Sequence, residues 1–103
     1  HFQAVAHKLA DMEINYQVVR NAVYKAAWLK EHGRPHLVEA SVAKVLLGRL
    51  SVENALEAIQ IHGGYGYLRD FPAERGLRDA KLASIGGGTT EIQKTIIARA
   101  ILA

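Results

Sequence analysis

Residues 3–31 hold no glycine and no proline, and their apolar side chains return at intervals of three or four. Phe2, Ala6, Leu9, Met12, Tyr16, Val19, Val23 and Ala27 make one stripe, while Lys8, Asp11, Asn15 and Lys25 fall largely on the other side. That spacing predicts a single amphipathic helix, roughly 40 Å long at 1.5 Å per residue. A helix of that length buries its stripe only against partners of similar length, so the chain is expected to be part of an all-α, up-down helical bundle.

The stretch His32-Gly33-Arg34-Pro35-His36 is a stop signal, with Gly past the helix end and then Pro. A second helix is predicted from about Leu37 to Ile61. Val38, Val45, Val52 and Ile59 are spaced by seven, and Ser41, Gly48 and Ala55 lie three residues after the first three of them. A β-branched seam beside a small-residue seam predicts close antiparallel packing, with Gly48 admitting a neighbouring backbone. Gly63-Gly64-Tyr65-Gly66-Tyr67 reads as a loop. Pro72 then opens a shorter helix to near Ser84, with Glu74 in its first turn. Gly86-Gly87-Gly88 breaks the chain again. Thr90 and Gln93 have capping-box spacing and start a last helix through about Leu102. No strand pattern and no repeat occurs.

Composition excludes several classes of function. With no cysteine among the 103 residues, disulfides, thiolate chemistry and Cys-ligated zinc are ruled out. The net charge of +3 comes without any dense Lys/Arg cluster, which argues against a nucleic-acid partner. No apolar run approaches the ~18 residues of a membrane span. Lys8, Asp11 and Glu13 interrupt the first segment, so no secretory signal is read there. The opening His-Phe-Gln already lies in a helical pattern, and the chain is expected to be a piece of something longer.

Gly86-Gly87-Gly88-Thr89-Thr90 running into a helix start leaves backbone N–H groups at the positive end of a helix dipole. That arrangement suits a phosphate or a polarised carbonyl oxygen; it equally describes a flexible loop with a Thr cap. Gly63-Gly64-Tyr65-Gly66 is not a dinucleotide fingerprint, since no strand precedes it and Arg69 stands where the third Gly belongs. His32 and His36 are separated by Gly33 and Pro35, which forbid the helix that would bring them together on a metal, so no metal site is expected. His62 reads as a loop hydrogen-bonder. Glu91, in the first turn of the last helix, reads as a helix-start charge and a poor general base. Arg69, Asp70, Glu74, Arg75, Arg78 and Asp79 read as an ion network. Tyr65, Tyr67 and Phe71 either wall a planar ligand or fill a small core.

Gln60-Ile61-His62-Gly63-Gly64-Tyr65-Gly66-Tyr67, Pro72-x-Glu74-Arg75, Arg78-Asp79-Ala80-Lys81, Gly88-Thr89-Thr90-Glu91-Ile92-Gln93 and Ile97-Ala98-Arg99 occur in that order. With Phe2-Gln3, Lys8 through Met12, and Ala26 through Leu29, they closely resemble the C-terminal helical domain of the acyl-CoA dehydrogenases. The resemblance covers residues 1–103 and implies an incomplete four-helix bundle. The bundle's first helix, the N-terminal helical domain and the middle β domain are expected to lie outside this sequence. It further implies FAD as cofactor, an acyl-CoA substrate, electron-transfer flavoprotein or a similar acceptor, and a homodimer or homotetramer. The implied location is the cytoplasm, or the mitochondrial matrix in a eukaryote. The implied reaction is α-proton removal with β-hydride transfer to the flavin, giving the 2,3-enoyl-CoA.

Residue by residue, the resemblance assigns Phe2 and Gln3 to the flavin cofactor. It assigns Gln60, Ile61, His62, Gly63 and Gly64 to the adenosine and pyrophosphate part, approached from a neighbouring subunit. Thr89, Thr90 and Glu91 match further FAD positions, and Gly88 matches a thioester contact. Many members carry their catalytic glutamate immediately before the Gly-Thr pair. Here that position is Gly87, as in the branch resembling isovaleryl- and long-chain acyl-CoA dehydrogenases, which place the base on an earlier helix. No catalytic residue is therefore expected within this segment. The alternatives are a non-oxidising relative of the same fold and a free-standing helical association module.

Overall fold

The computed structural model describes residues 2–103, and all the regular structure among them is helical. Helix α1 spans Gln3–Glu31, α2 Leu37–His62, α3 Gly64–Tyr67, α4 Pro72–Leu82 and α5 Thr90–Leu102. The stop after α1 works as its sequence predicts: Gly33 takes a left-handed φ of +66°, and its N–H and that of Arg34 bond back to Lys30 and Leu29. Pro72 stands at the first position of α4, where its missing N–H costs nothing.

Helix α2 is the axis of the fold. Each of the other helices packs on it, α3 also touches α4, and α1, α4 and α5 make no packing contact with one another among the described residues. The buried residues sit on this central helix, at Ser41, Ala43, Val45 and Gly48, with Gly66 of α3 beside its end. The expected Val38/Val45/Val52/Ile59 seam and its small-residue companion thus do face neighbours, with Ser41, Val45 and Gly48 buried and Val38, Val52, Ala55 and Ile59 half-buried.

The helix α1 stripe needs correction. Its side toward α2 runs Val5, Lys8, Met12, Asn15, Val19, Ala22, Ala26 and Leu29, which are half-buried. The predicted stripe shares only Met12 and Val19 with it, and Phe2, Leu9, Tyr16 and Val23 remain exposed. Two residues read as solvent-facing explain the rotation. Lys8 pairs with Glu57, and Asn15 Nδ2 donates to Asn54 Oδ1 at 2.9 Å while Asn54 Nδ2 donates to the Met12 carbonyl at 3.0 Å. Hydrogen-bonded polar pairs make a packing face that a hydropathy stripe does not reveal.

The chain is long and open, 48 × 25 × 24 Å with a radius of gyration of 16.1 Å, where a compact chain of this length would have about 13 Å. Its accessible surface is 7595 Å², against roughly 5,700 Å² for a compact monomer of this mass. The difference is on the scale of a standard protein–protein interface, ~1,600 Å². The exposed surface includes large apolar side chains, among them Leu9, Ile14, Tyr16 and Trp28 on α1 and Ile101 and Leu102 on α5.

Candidate functional site

The α1–α2 pairing is antiparallel, as shown by Lys8 with Glu57 and Met12 with Asn54. Continued to the helix ends, that register brings Phe2 and Gln3 level with Gly63 and Gly64. Residues that the sequence places at opposite ends of a 60-residue stretch therefore meet at one end of the bundle. There Phe2, Gln3, Gln60, His62, Gly63 and Gly64 are exposed, and Ile61 is half-buried. His62 Nδ1 lies 2.7 Å from the Ala58 carbonyl, so the ring is held against its own helix. Gly63 ends α2 at φ +62°, and neither it nor Gly64 has any atom near where a side chain would project.

What reads as a loop after Gly63 is the single-turn helix α3. It folds because Gly66 lies flat on α2, where a side chain would overlap the Ile59 carbonyl; the sequence marks this only by the Gly itself. Tyr65 packs on Phe71 with ring centroids 5.2 Å apart, while Tyr67 is 82% exposed. Of the expected ion network, Glu74 with Arg78 forms, at 3.2 Å, and no other pair within that group does among the described residues.

The second glycine cluster lies elsewhere. Helix α4 ends at Leu82, two residues earlier than expected, and a turn follows in which Gly86 N–H bonds to Leu82 and Thr90 N–H to Ser84. Gly87 and Gly88 take φ values of +70° and +101°, which side-chain-bearing residues rarely adopt. The cap of α5 is Thr89, not Thr90: Thr89 Oγ1 accepts the Ile92 N–H at 3.3 Å, and Thr90 is already the first helical residue. Gln93 donates its backbone N–H to the Thr89 carbonyl, so the polar partnership predicted for Thr90 and Gln93 belongs to Thr89.

This turn rests on the middle of α2. A groove of about 590 Å³ opens between Gly48, Arg49 and Val52 on one side and Ser84, Thr89, Thr90, Glu91 and Lys94 on the other, with Lys81 at its edge. Three cations, three hydroxyls and the Glu91 carboxylate thus surround the start of α5. Measured along α2, the turn sits at Lys44–Gly48 and the other glycine pair at Gly63–Gly64, roughly 25 Å apart at 1.5 Å per residue. Within one chain the structure therefore groups Phe2, Gln3 and Gln60–Gly64 together and Gly87–Glu91 together, but it does not join the two groups.

His32 and His36 each face a carbonyl, Trp28 at 2.8 Å and Arg34 at 3.1 Å, and His32 stacks on the Trp28 ring. No group of three metal-ligating side chains occurs among the described residues. No helix among them is long and apolar enough to cross a membrane.

Comparison with known proteins decides the family. The family model for the acyl-CoA dehydrogenase C-terminal domain matches residues 1–102. The chain belongs to that family. A probable acyl-CoA dehydrogenase of Bacillus subtilis (strain 168), YngJ, is 50% identical over 101 residues, 98% of this chain and 27% of the relative. The structure of butyryl-CoA dehydrogenase from Megasphaera elsdenii superposes with a TM-score of 0.96 at 42% identity, over 99% of this chain and 27% of that one. The FAD complex of PigA superposes with a TM-score of 0.91 at 31% identity, over 97% of this chain and 26% of that one. The chain thus spans about a quarter of the length of the relatives it matches.

The residues present suit a dinucleotide cofactor. Open backbone at Gly63–Gly64, the amides of Gln3 and Gln60, and the hydroxyls of Thr89 and Thr90 beside Arg49, Lys81 and Lys94 are donors of the kind that hold ribityl and pyrophosphate oxygens.

Proposed function

We propose that this acyl-CoA dehydrogenase domain is the C-terminal part, residues 1–103, of an FAD-dependent enzyme that oxidises an acyl-CoA to the 2,3-enoyl-CoA. The observation that carries the reading is the clustering just described, in which residues matching the family's cofactor positions fall into two groups, each exposed or half-buried, on a domain of that family. Phe2, Gln3 and Gln60 through Gly64 hold one part of FAD, and Thr89, Thr90 and Glu91 hold another. Because the groups lie far apart on one chain, each completes a site with a different copy, which supports a homodimer or homotetramer; the excess apolar surface supports the same conclusion.

The flavin, when bound, accepts the hydride. Gly88 lies against the acyl thioester, and its left-handed backbone lets the chain turn there without a side chain in the way. Gly87 offers no carboxylate, so the base that removes the α-proton is contributed from outside these residues, as in the branch resembling isovaleryl- and long-chain acyl-CoA dehydrogenases. Reducing equivalents pass to electron-transfer flavoprotein or a similar acceptor. The enzyme works in the cytoplasm, or in the mitochondrial matrix of a eukaryote.

The test is anaerobic stopped-flow of the full-length, FAD-loaded enzyme with short- and branched-chain acyl-CoAs, read at the flavin absorbance band. Bleaching by at least one acyl-CoA is expected. A flavin that stays oxidised with all of them, in a protein that retains FAD, would instead favour the non-oxidising relative.

A further inference from the structure

Lys44 occupies an unusual place on α2. It is half-buried, its stem lies beside Val23, Ala26, Ala40, Ala43 and Leu47, and no carboxylate lies within 4.0 Å of its ammonium among the described residues. Its Nζ donates instead to the Ala83 carbonyl, at the C-terminal end of α4. The other carbonyls around that point are used locally: Ala80 accepts from Ala83, Lys81 from Ser84, Leu82 from Ile85 and Gly86, and Ser84 from Thr90. Ala83 is the one whose partner comes from α2. The Lys44–Ala83 bond is also the only hydrogen bond tying the turn between α4 and α5 to α2 among the described residues.

A cation at a helix C-terminus meets the negative end of the helix dipole, and a bond to an ionised donor is stronger than a neutral one. One helical turn further on, Gly48 lies against Ser84. Lys44 and Gly48 therefore grip adjacent residues of the turn from a single face of α2. The Lys44 stem also reaches Gly87, since a side chain added there would stand 4.0 Å from its Cε.

We propose that Lys44 is a positioning residue that, through the Ala83 carbonyl, sets where the Gly86–Gly88 turn sits. Resting on the function proposed above, this makes Lys44 the residue that holds Gly88 at the acyl thioester. It touches neither substrate nor flavin itself.

The experiment compares Lys44→Met, which keeps an apolar stem and removes the donor, with Lys44→Arg, which keeps the charge, in the full-length FAD-loaded enzyme. Hydrogen exchange of peptides covering residues 83–90 is the first measurement. In Lys44→Met it is expected to quicken by about tenfold or more there, with α1 peptides unchanged, as local rather than global opening requires. Stopped-flow flavin reduction is the second. The Lys44→Met rate per bound flavin is expected to fall between roughly tenfold and a hundredfold, as befits a reacting geometry displaced by about 1 Å; Lys44→Arg is expected to recover most of both effects. Wild-type exchange and rate in Lys44→Met would overturn the proposal. So would exchange that rises evenly across the domain, or an arginine variant no better than the methionine one. If no acyl-CoA reduces the flavin of the wild-type enzyme, the functional reading fails, while the exchange comparison still decides whether Lys44 anchors the turn.

Discussion

Gly48 leaves no room for a side chain against Ser84: a Cβ on Gly48 would stand 3.1 Å from both the Cα and the Cβ of Ser84. The obstacle is main chain at the end of α4, which cannot swing aside as a flexible side chain can. Gly48→Ala should therefore destabilise the domain by about 1–3 kcal/mol, in the range of other overpacked sites, although alanine is the better helix former by about 1 kcal/mol. Gly48→Leu should cost more. Thermal unfolding of the variants checks this, and an alanine variant as stable as wild type would show that α4 is free to move outward.

Which threonine caps α5 gives a second test. Thr89 Oγ1 accepts the Ile92 N–H, and Thr90 makes no such bond among the described residues. Thr89→Ala should cost about 1 kcal/mol, typical of a lost N-cap, and Thr90→Ala a few tenths at most. Chemical denaturation of the two variants side by side reads the difference, and equal losses would place the cap elsewhere.

Much of this fold is legible in the sequence because Gly and Pro punctuate it. The ends of α1, the start of α2 and the start of α4 fall where Gly33, Pro35 and Pro72 predict. The face of α1 is not legible, because Lys8 and Asn15 turn inward only on account of Glu57 and Asn54, 49 and 39 residues away. The same distance effect hides the site. The resemblance gives Phe2, Gln3, Gly63 and Gly64 to one cofactor, but only the antiparallel register brings them to one end of the bundle, whereas the two glycine clusters look alike in sequence and lie far apart in space. The α5 cap is displaced by one residue because Thr89 and Thr90 are chemically identical, and only the backbone angles distinguish them.

The exposed stripe of α1 carries the third prediction. Leu9, Ile14 and Tyr16 are each more than half exposed, and apolar patches beyond a few hundred Å² are rare on monomers. The 103-residue chain expressed alone should be all-α by circular dichroism and should self-associate at micromolar concentration. Multi-angle light scattering that finds a monomer throughout the workable range would refute this.

The same isolated chain should bind FAD weakly or not at all. Each copy presents its two groups of candidate contacts roughly 25 Å apart along α2, so one copy offers only part of a site, and ordering exposed glycine backbone around the ligand opposes binding. Isothermal titration is expected to give no complex tighter than tens of micromolar, and a stoichiometric sub-micromolar complex would contradict the idea.

The last prediction concerns Gly87. In the full-length enzyme, Glu91→Gln should loosen FAD while leaving the rate per bound flavin largely intact, because Glu91 faces the groove at the start of α5 rather than the turn. Replacing the upstream glutamate assigned as base should abolish flavin reduction with FAD retained. Gly87→Glu in that inactive background should restore a small part of the rate. Two observations cap the rescue. The φ of +70° at Gly87 costs a side-chain-bearing residue on the order of 1–2 kcal/mol, and the Lys44 stem lies 4.0 Å from the new Cβ, close enough for its ammonium to draw the carboxylate off line. A misplacement of about 1 Å is worth roughly a hundredfold in rate, so recovery should stay well below the parent enzyme. Stopped-flow bleaching of the flavin reads all three variants. Reduction at the parent rate after loss of the upstream glutamate would mean that the base has been assigned to the wrong residue.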